Sequence, residues 1–134
     1  MRSGRFQRRC PLGRLIALLC IGSLTACSTA PTLTEVQAQV FTPSCAFSSC
    51  HGSIQAGDLN LEEGNSWAEL VDIESIDAPG NILVIPGDAD ASYLMAKIHG
   101  DDGIVGDVMP PAGSLTGVQL DMVRDWINAG ALND

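Results

Sequence analysis

Cys45, Cys50 and His51 stand together in the segment Cys45-Ala46-Phe47-Ser48-Ser49-Cys50-His51, a C-x4-C-H pattern. Two thiols and an imidazole at this spacing can do three kinds of chemistry. The usual pattern for covalent haem attachment is C-x-x-C-H. There each thiol adds across one vinyl group, and the histidine directly after the second thiol lies beneath the ring and ligates the iron. Adjacency fixes only the second half of that geometry, so a first thiol two residues further off can reach its vinyl through a bulged loop. The second possibility is a disulfide across a tight loop, with His51 on the surface. The third is zinc or copper, but two cysteines and one histidine with no nearby fourth donor are incomplete for structural zinc.

A haem iron held by His51 would need a ligand on its other side. Residues 27–134 contain three methionines, Met95, Met109 and Met122. Met95 and Met122 sit at helical positions among apolar neighbours and read as gap-filling core. Met109 lies in a loop stiffened by Pro110 and Pro111, whose fixed backbone can hold a side chain toward a metal. Methionine with histidine is one of the standard haem ligand sets. His99 is the competing donor, but it falls in the last turn of a helix, where a histidine ordinarily answers the helix dipole. Asp88-x-Asp90 and Asp101-Asp102 lack the EF-hand spacing for calcium, and Asp90 reads as a helix cap. No phosphate-binding glycine loop, G-x-S-x-G or nucleophile–base pairing is present, so hydrolase and transferase machinery has no signature here.

The elements that must position these residues are short. Thr32-x-x-Glu35 is a capping box that opens a helix with Val36, Val40 and Phe41 on one face. Pro43 is expected to stop it, with Thr42 as N-cap of a new turn carrying Cys45. A glycine-rich stretch follows over residues 52–64. Ser66 is expected to cap a helix that turns Trp67, Leu70 and Val71 inward. Residues 82–85 (ILVI) form a short strand or a buried extended segment. Asp90 or Ser92 starts a helix over residues 93–99, closed by Gly100. Residues 101–115 are a loop. Thr116-x-x-Gln119 is a second capping box, and Leu115 is placed as a staple. Leu120, Val123, Trp126 and Ile127 form the inner face of the last helix, and Gly130 ends it. The class is mainly α.

The beginning of the chain reads as an address. Arg2, Arg5, Arg8, Arg9 and Arg14 precede an apolar run of ten at residues 15–24, which is too short to span a bilayer as a mature helix. Leu24-Thr25-Ala26-Cys27 resembles a bacterial lipobox. Residues 1–26 are therefore expected to be a lipoprotein signal peptide, with Cys27 lipidated and residues 27–33 a tether to a domain over 34–134. Ser28 after the cysteine suggests the periplasmic face of the outer membrane. Cys10 and Cys20 leave with the signal, so the exported body keeps only Cys45 and Cys50 as candidates for further chemistry.

Lys97 and Arg124 then stand alone against sixteen acidic residues. That balance excludes nucleic acid as a partner and suits a basic protein surface. The aromatic content is 4%, and a small loop-rich body is marginal without a staple or a cofactor. A buried porphyrin would supply the missing apolar bulk.

From about residue 40 to 131 the sequence resembles the small planctomycete-type cytochrome c domains, often carried on bacterial lipoproteins. The matching pieces are VFTPSCAFSSCHG, AGDLNL, IPGDADASYLMAKI, VMPP and VRDWINAGA. Their order carries the match: an attachment motif, a long spacer, a methionine before proline, and an amphipathic last helix. The resemblance implies a class I-like cytochrome c fold around one haem c, with the first and last helices crossing and Phe41 brought near Trp126. It also implies thioethers at Cys45 and Cys50, proximal ligation by His51 and distal ligation by Met109.

The reading is an envelope-anchored, single-electron carrier rather than an enzyme, meeting a redox partner with a basic docking surface. One rival is a haem-free lipoprotein domain stapled by Cys45–Cys50, with a structural or ligand-binding role. The other is a haem protein whose labile Met109 admits a small gas or peroxide.

Overall fold

The computed structural model describes residues 29–134. The expected signal peptide, the expected lipidation of Cys27 and the first two residues of the expected tether lie outside the described residues. Among the described residues there are a few short helices and no strand, as expected of a small, mainly α domain. None of these helices is long and apolar enough to cross a membrane.

Helix α1 spans Leu33–Val36. Both halves of the expected capping box are made: Thr32 Oγ1 accepts from the Glu35 N–H at 3.2 Å, and the Glu35 carboxylate accepts from the Thr32 N–H at 2.9 Å. The far end of the chain completes this terminus. Asp134 accepts from the Leu33 N–H through Oδ1 at 2.9 Å and from the Thr34 N–H through its backbone carbonyl at 3.0 Å. First-turn donors have no partner inside a helix, so the C-terminal residue serves as a second cap.

Pro43 does not stop this helix. The chain continues from α1 as a π-helix over Gln37–Phe41 and then as α2 over Thr42–Ser44. Thr42 is itself helical (φ −60°, ψ −50°) and is therefore not an N-cap. The physical reason is a substitute donor. Pro43 has no N–H for the carbonyl four residues back, that of Gln39, and Gln119 Nε2 supplies one at 2.9 Å.

Helix α3 spans Ser66–Leu70. Its expected cap is corrected: Asn65 holds the N-cap position, and Ser66 is buried inside the helix. The Ser66 hydroxyl donates to Gln37 Oε1 at 2.6 Å, while Gln37 Nε2 donates to the Leu61 carbonyl at 2.9 Å and to Thr42 Oγ1 at 3.0 Å. A buried amide costs free energy unless paired, and Ser66 is spent on that pairing.

Residues 82–85 form isolated bridges rather than a strand, Val84 with Val71 and Ile82 with Glu74. Their carbonyls do the work expected of a cap on α4, Tyr93–His99. The N–H groups of Tyr93 and Leu94 donate to the carbonyls of Ile82 and Leu83, each at 2.9 Å. Ser92 holds the N-cap position, but its hydroxyl donates to the Asp88 carbonyl at 2.7 Å and accepts from the Ile85 N–H at 2.9 Å. Asp90 is not a cap either; its exposed carboxylate pairs with Arg124. Gly100 closes α4 in the left-handed region at φ +78°, where glycine carries no Cβ penalty.

Helix α5, Gly117–Asn128, follows the sequence closely, except that Ala129 and not Gly130 holds the C-cap position, with Gly130 next at φ +112°. Thr116 and Gln119 make the capping box, and Leu115 is buried at its start. Val123, Trp126 and Ile127 pack with Val36, Val40 and Phe41 in the central cluster. Met95 is buried in that cluster and Met122 packs against it, as expected of gap-fillers. Both indole N–H groups end on the C-terminal tail: Trp67 Nε1 donates to the Ala131 carbonyl at 2.8 Å, and Trp126 Nε1 to the Leu132 carbonyl at 3.0 Å.

Candidate functional site

Cys45 terminates α2 with φ −126° and ψ −42°. The segment after it folds back on itself. The N–H of His51 donates to the Cys45 carbonyl at 3.2 Å, and that of Cys50 to the Phe47 carbonyl at 2.8 Å. The intervening residues bulge outward, with Phe47, Ser48 and Ser49 exposed. Gly52 allows this closure. A Cβ on residue 52 would lie 2.6 Å from the Ala46 carbonyl oxygen and 2.9 Å from that of Phe47. Those are backbone atoms, so a larger residue forces the loop apart.

Both thiols are free and half-buried. Cys45 packs against the core. Burial first, and the neighbouring Cys50 second, push its thiol up to about 11, since an apolar setting disfavours the thiolate. His51 is fixed through its backbone, its carbonyl accepting from the Leu61 N–H at 2.7 Å. Its ring nitrogen Nδ1 is buried without a hydrogen-bond partner among the described residues. Buried polar side-chain atoms are nearly always paired, so this imidazole is not held as an ordinary core histidine is.

His51 lines a cavity of about 310 Å³, within the size range of small-molecule and cofactor sites. Met109 lines the same cavity, far from His51 in sequence. Apolar side chains supply much of the remaining wall, including Leu59, Leu61, Ile73, Leu83 and Leu94. Asp58, Glu69, Glu74 and Asp77 also lie on it, with Lys97 as the one cation. Cys45 and Cys50 do not line it. His99 is exposed at the end of α4 and lies off the cavity. The structure therefore brings together His51 and Met109, with the two thiols beside His51 along the chain.

Sequence reasoning missed what holds Met109. The Met109 N–H donates to the Lys97 carbonyl at 2.8 Å, and Lys97 Nζ donates to the carbonyls of Val105 and Asp107 at 2.8 and 2.6 Å. One signal was available: Lys97 is the single lysine in the chain.

The structure is thus a small, mainly α domain with a histidine and a loop methionine on one largely apolar cavity. Residues 48–113 match the family model of planctomycete cytochrome C, and the chain carries a planctomycete-type cytochrome c domain. The matched segment contains Cys50, His51 and Met109 and begins after Cys45. No curated protein and no solved structure matches the chain. That domain points to an electron-transfer protein using haem c.

Proposed function

We propose that this domain is a monohaem c-type cytochrome that carries single electrons while anchored to the cell envelope. The observation that carries the reading is that His51 and Met109 share one apolar cavity. The donor chemistry fits a haem: an imidazole with no hydrogen bond claiming its buried nitrogen, a soft thioether, and two free thiols next to the histidine. A bound haem c supplies an iron that alternates between ferrous and ferric states by one electron.

The chain's own residues do the rest. His51 would hold the iron through a ring nitrogen, with Gly52 keeping the loop closed behind it. Met109 offers a neutral sulfur, which favours ferrous over ferric iron and raises the potential. Cys45 and Cys50, both free thiols beside His51 along the chain, would hold the group covalently, each through one thioether. Were His51 and Met109 both to hold the iron, little room would remain for substrate chemistry on it, which favours a carrier over an enzyme. In this reading the first helical segment, α1 with the π-helical turn that continues it, crosses α5, and the packing of Phe41 at the end of that turn on Trp126 supports it.

Asp58, Glu69, Glu74 and Asp77 surround the cavity. Beside them Ile73 and Ile76 are 41% and 62% exposed. Such a rim suits a redox partner with a basic docking surface, since complementary charge speeds encounter. The anchor rests on Leu24-Thr25-Ala26-Cys27, with a diacylglycerol on Cys27 holding the domain at the periplasmic face of the outer membrane. Changing Cys27 to Ser is then expected to move the protein to soluble fractions; an unchanged membrane fraction refutes the lipid anchor.

Potentiometric titration of the purified protein tests the function. One transition with a one-electron slope, about 59 mV per decade, is expected. Absence of any redox transition refutes the carrier reading.

A further inference from the structure

Lys97 spends its charge in an unexpected place. Four carboxylates share its cavity, yet among the described residues its ammonium forms no ion pair and donates to two backbone carbonyls, of Val105 and Asp107. An ionised donor makes a stronger hydrogen bond than a neutral one. The backbone carbonyl of the same residue accepts from the Met109 N–H. One turn earlier on α4, and on the same face, the Tyr93 hydroxyl accepts from the Val105 N–H at 2.9 Å. Gly100 adds a close approach: a Cβ there would lie 3.0 Å from Val108 Cγ2. Residues 105–109 have no helix or strand of their own. Their backbone is held from one helix by four hydrogen bonds, three of them made by Lys97.

We propose that Lys97, assisted by Tyr93, is the positioning residue for the Met109 sulfur: its ammonium clamps the loop from residue 105 to 107 so that the thioether stays on the cavity wall. The redox consequence rests on the reading of Met109 as an iron ligand. The clamp itself is a property of the chain and is tested separately. A thioether is a weak axial ligand that stays bound only when its loop presents it, so releasing the loop opens the sixth position.

The test compares Lys97→Met, Lys97→Arg and Tyr93→Phe with wild type in the full chain. Two readouts are taken: the sulfur-to-iron charge-transfer band with the rate of carbon monoxide binding, and amide exchange at Val105 and Met109 in the protein as purified. Lys97→Met is expected to lose most of the band, bind carbon monoxide quickly, and speed exchange at Met109 about tenfold or more. Lys97→Arg keeps the charge and the donors and is expected to keep the band. Tyr93→Phe removes only the acceptor and is expected to speed exchange at Val105 with a smaller loss of band. The clamp is overturned if Lys97→Met keeps the wild-type band and exchange, or if Lys97→Arg loses the band as fully as Lys97→Met. If wild type carries no haem, the haem reading fails, and exchange at Met109 alone decides the clamp: acceleration in Lys97→Met upholds it and unchanged rates overturn it.

Discussion

Phe41 and Trp126 meet edge to face, with ring centroids 6.4 Å apart and planes at 84°. Each is 1% exposed. The contact ties the π-helical turn just before Cys45 to the last turn of α5, so the segment presenting the thiols is fixed to the longest helix among the described residues. Trp126→Ala is expected to cost about 3–5 kcal/mol, and a double-mutant cycle with Phe41→Leu is expected to show about 0.5–1.5 kcal/mol of coupling. Urea unfolding of the four proteins measures both.

Gly52 is the tightest point of the loop between Cys45 and His51. Gly52→Ala places a methyl against two backbone carbonyls and is expected to cost more than about 2 kcal/mol, with a fall in covalent haem yield. Gly113→Ala is the control. A Cβ there meets nothing within 4 Å, and the change is expected to stay within about 0.5 kcal/mol.

The Cys45 thiol, pushed up to about 11 by burial and by Cys50, stays protonated in the folded chain at neutral pH. Only the thiolate reacts with an alkylating agent. Before haem attachment, alkylation of Cys45 by iodoacetamide is expected to rise about tenfold per pH unit between pH 8 and 10; a plateau by pH 9 contradicts the shift. The linked effect on stability has a definite sign. The unfolded thiol ionises near its ordinary value of 9.0 and loses its proton first. Folding stability therefore falls as pH rises from about 9 toward 11.

The three methionines separate by environment. Met109→Ala is expected to abolish the weak red sulfur band, lower the potential and admit cyanide or carbon monoxide. Met95→Leu and Met122→Leu are expected to leave the spectrum unchanged and to cost under about 1.5 kcal/mol each. His99→Ala is likewise expected to be silent, because His99 is exposed and lies off the cavity. A high-spin spectrum from His99→Ala with a normal one from Met109→Ala would assign the sixth ligand to His99.

What the sequence made legible was local. Both capping boxes, the buried face of α5 and the glycine closing α4 depend on residues within a few positions of one another, and all are present. The errors came where a distant partner took over a local role. Gln119 pairs the carbonyl that Pro43 abandons, so the helix runs through the proline. The carbonyls of Ile82 and Leu83 take the first donors of α4, leaving Ser92 and Asp90 to other bonds. Gln37 draws Ser66 into a buried pair. At the candidate site, the residue types of Cys45, Cys50, His51 and Met109 could be read directly. Lys97 could be read only as a lone charge, because its carbonyl partners are backbone atoms without a signature in the sequence.

The intact mass of the purified protein, produced with a haem-attachment system and then denatured, tests the central claim most directly. The account predicts the mature polypeptide from Cys27, with its lipid, plus one haem, retained through acid-acetone extraction and largely lost in Cys50→Ala. A mass equal to that same lipid-bearing polypeptide less two hydrogens, with no haem, would show a Cys45–Cys50 disulfide and contradict it.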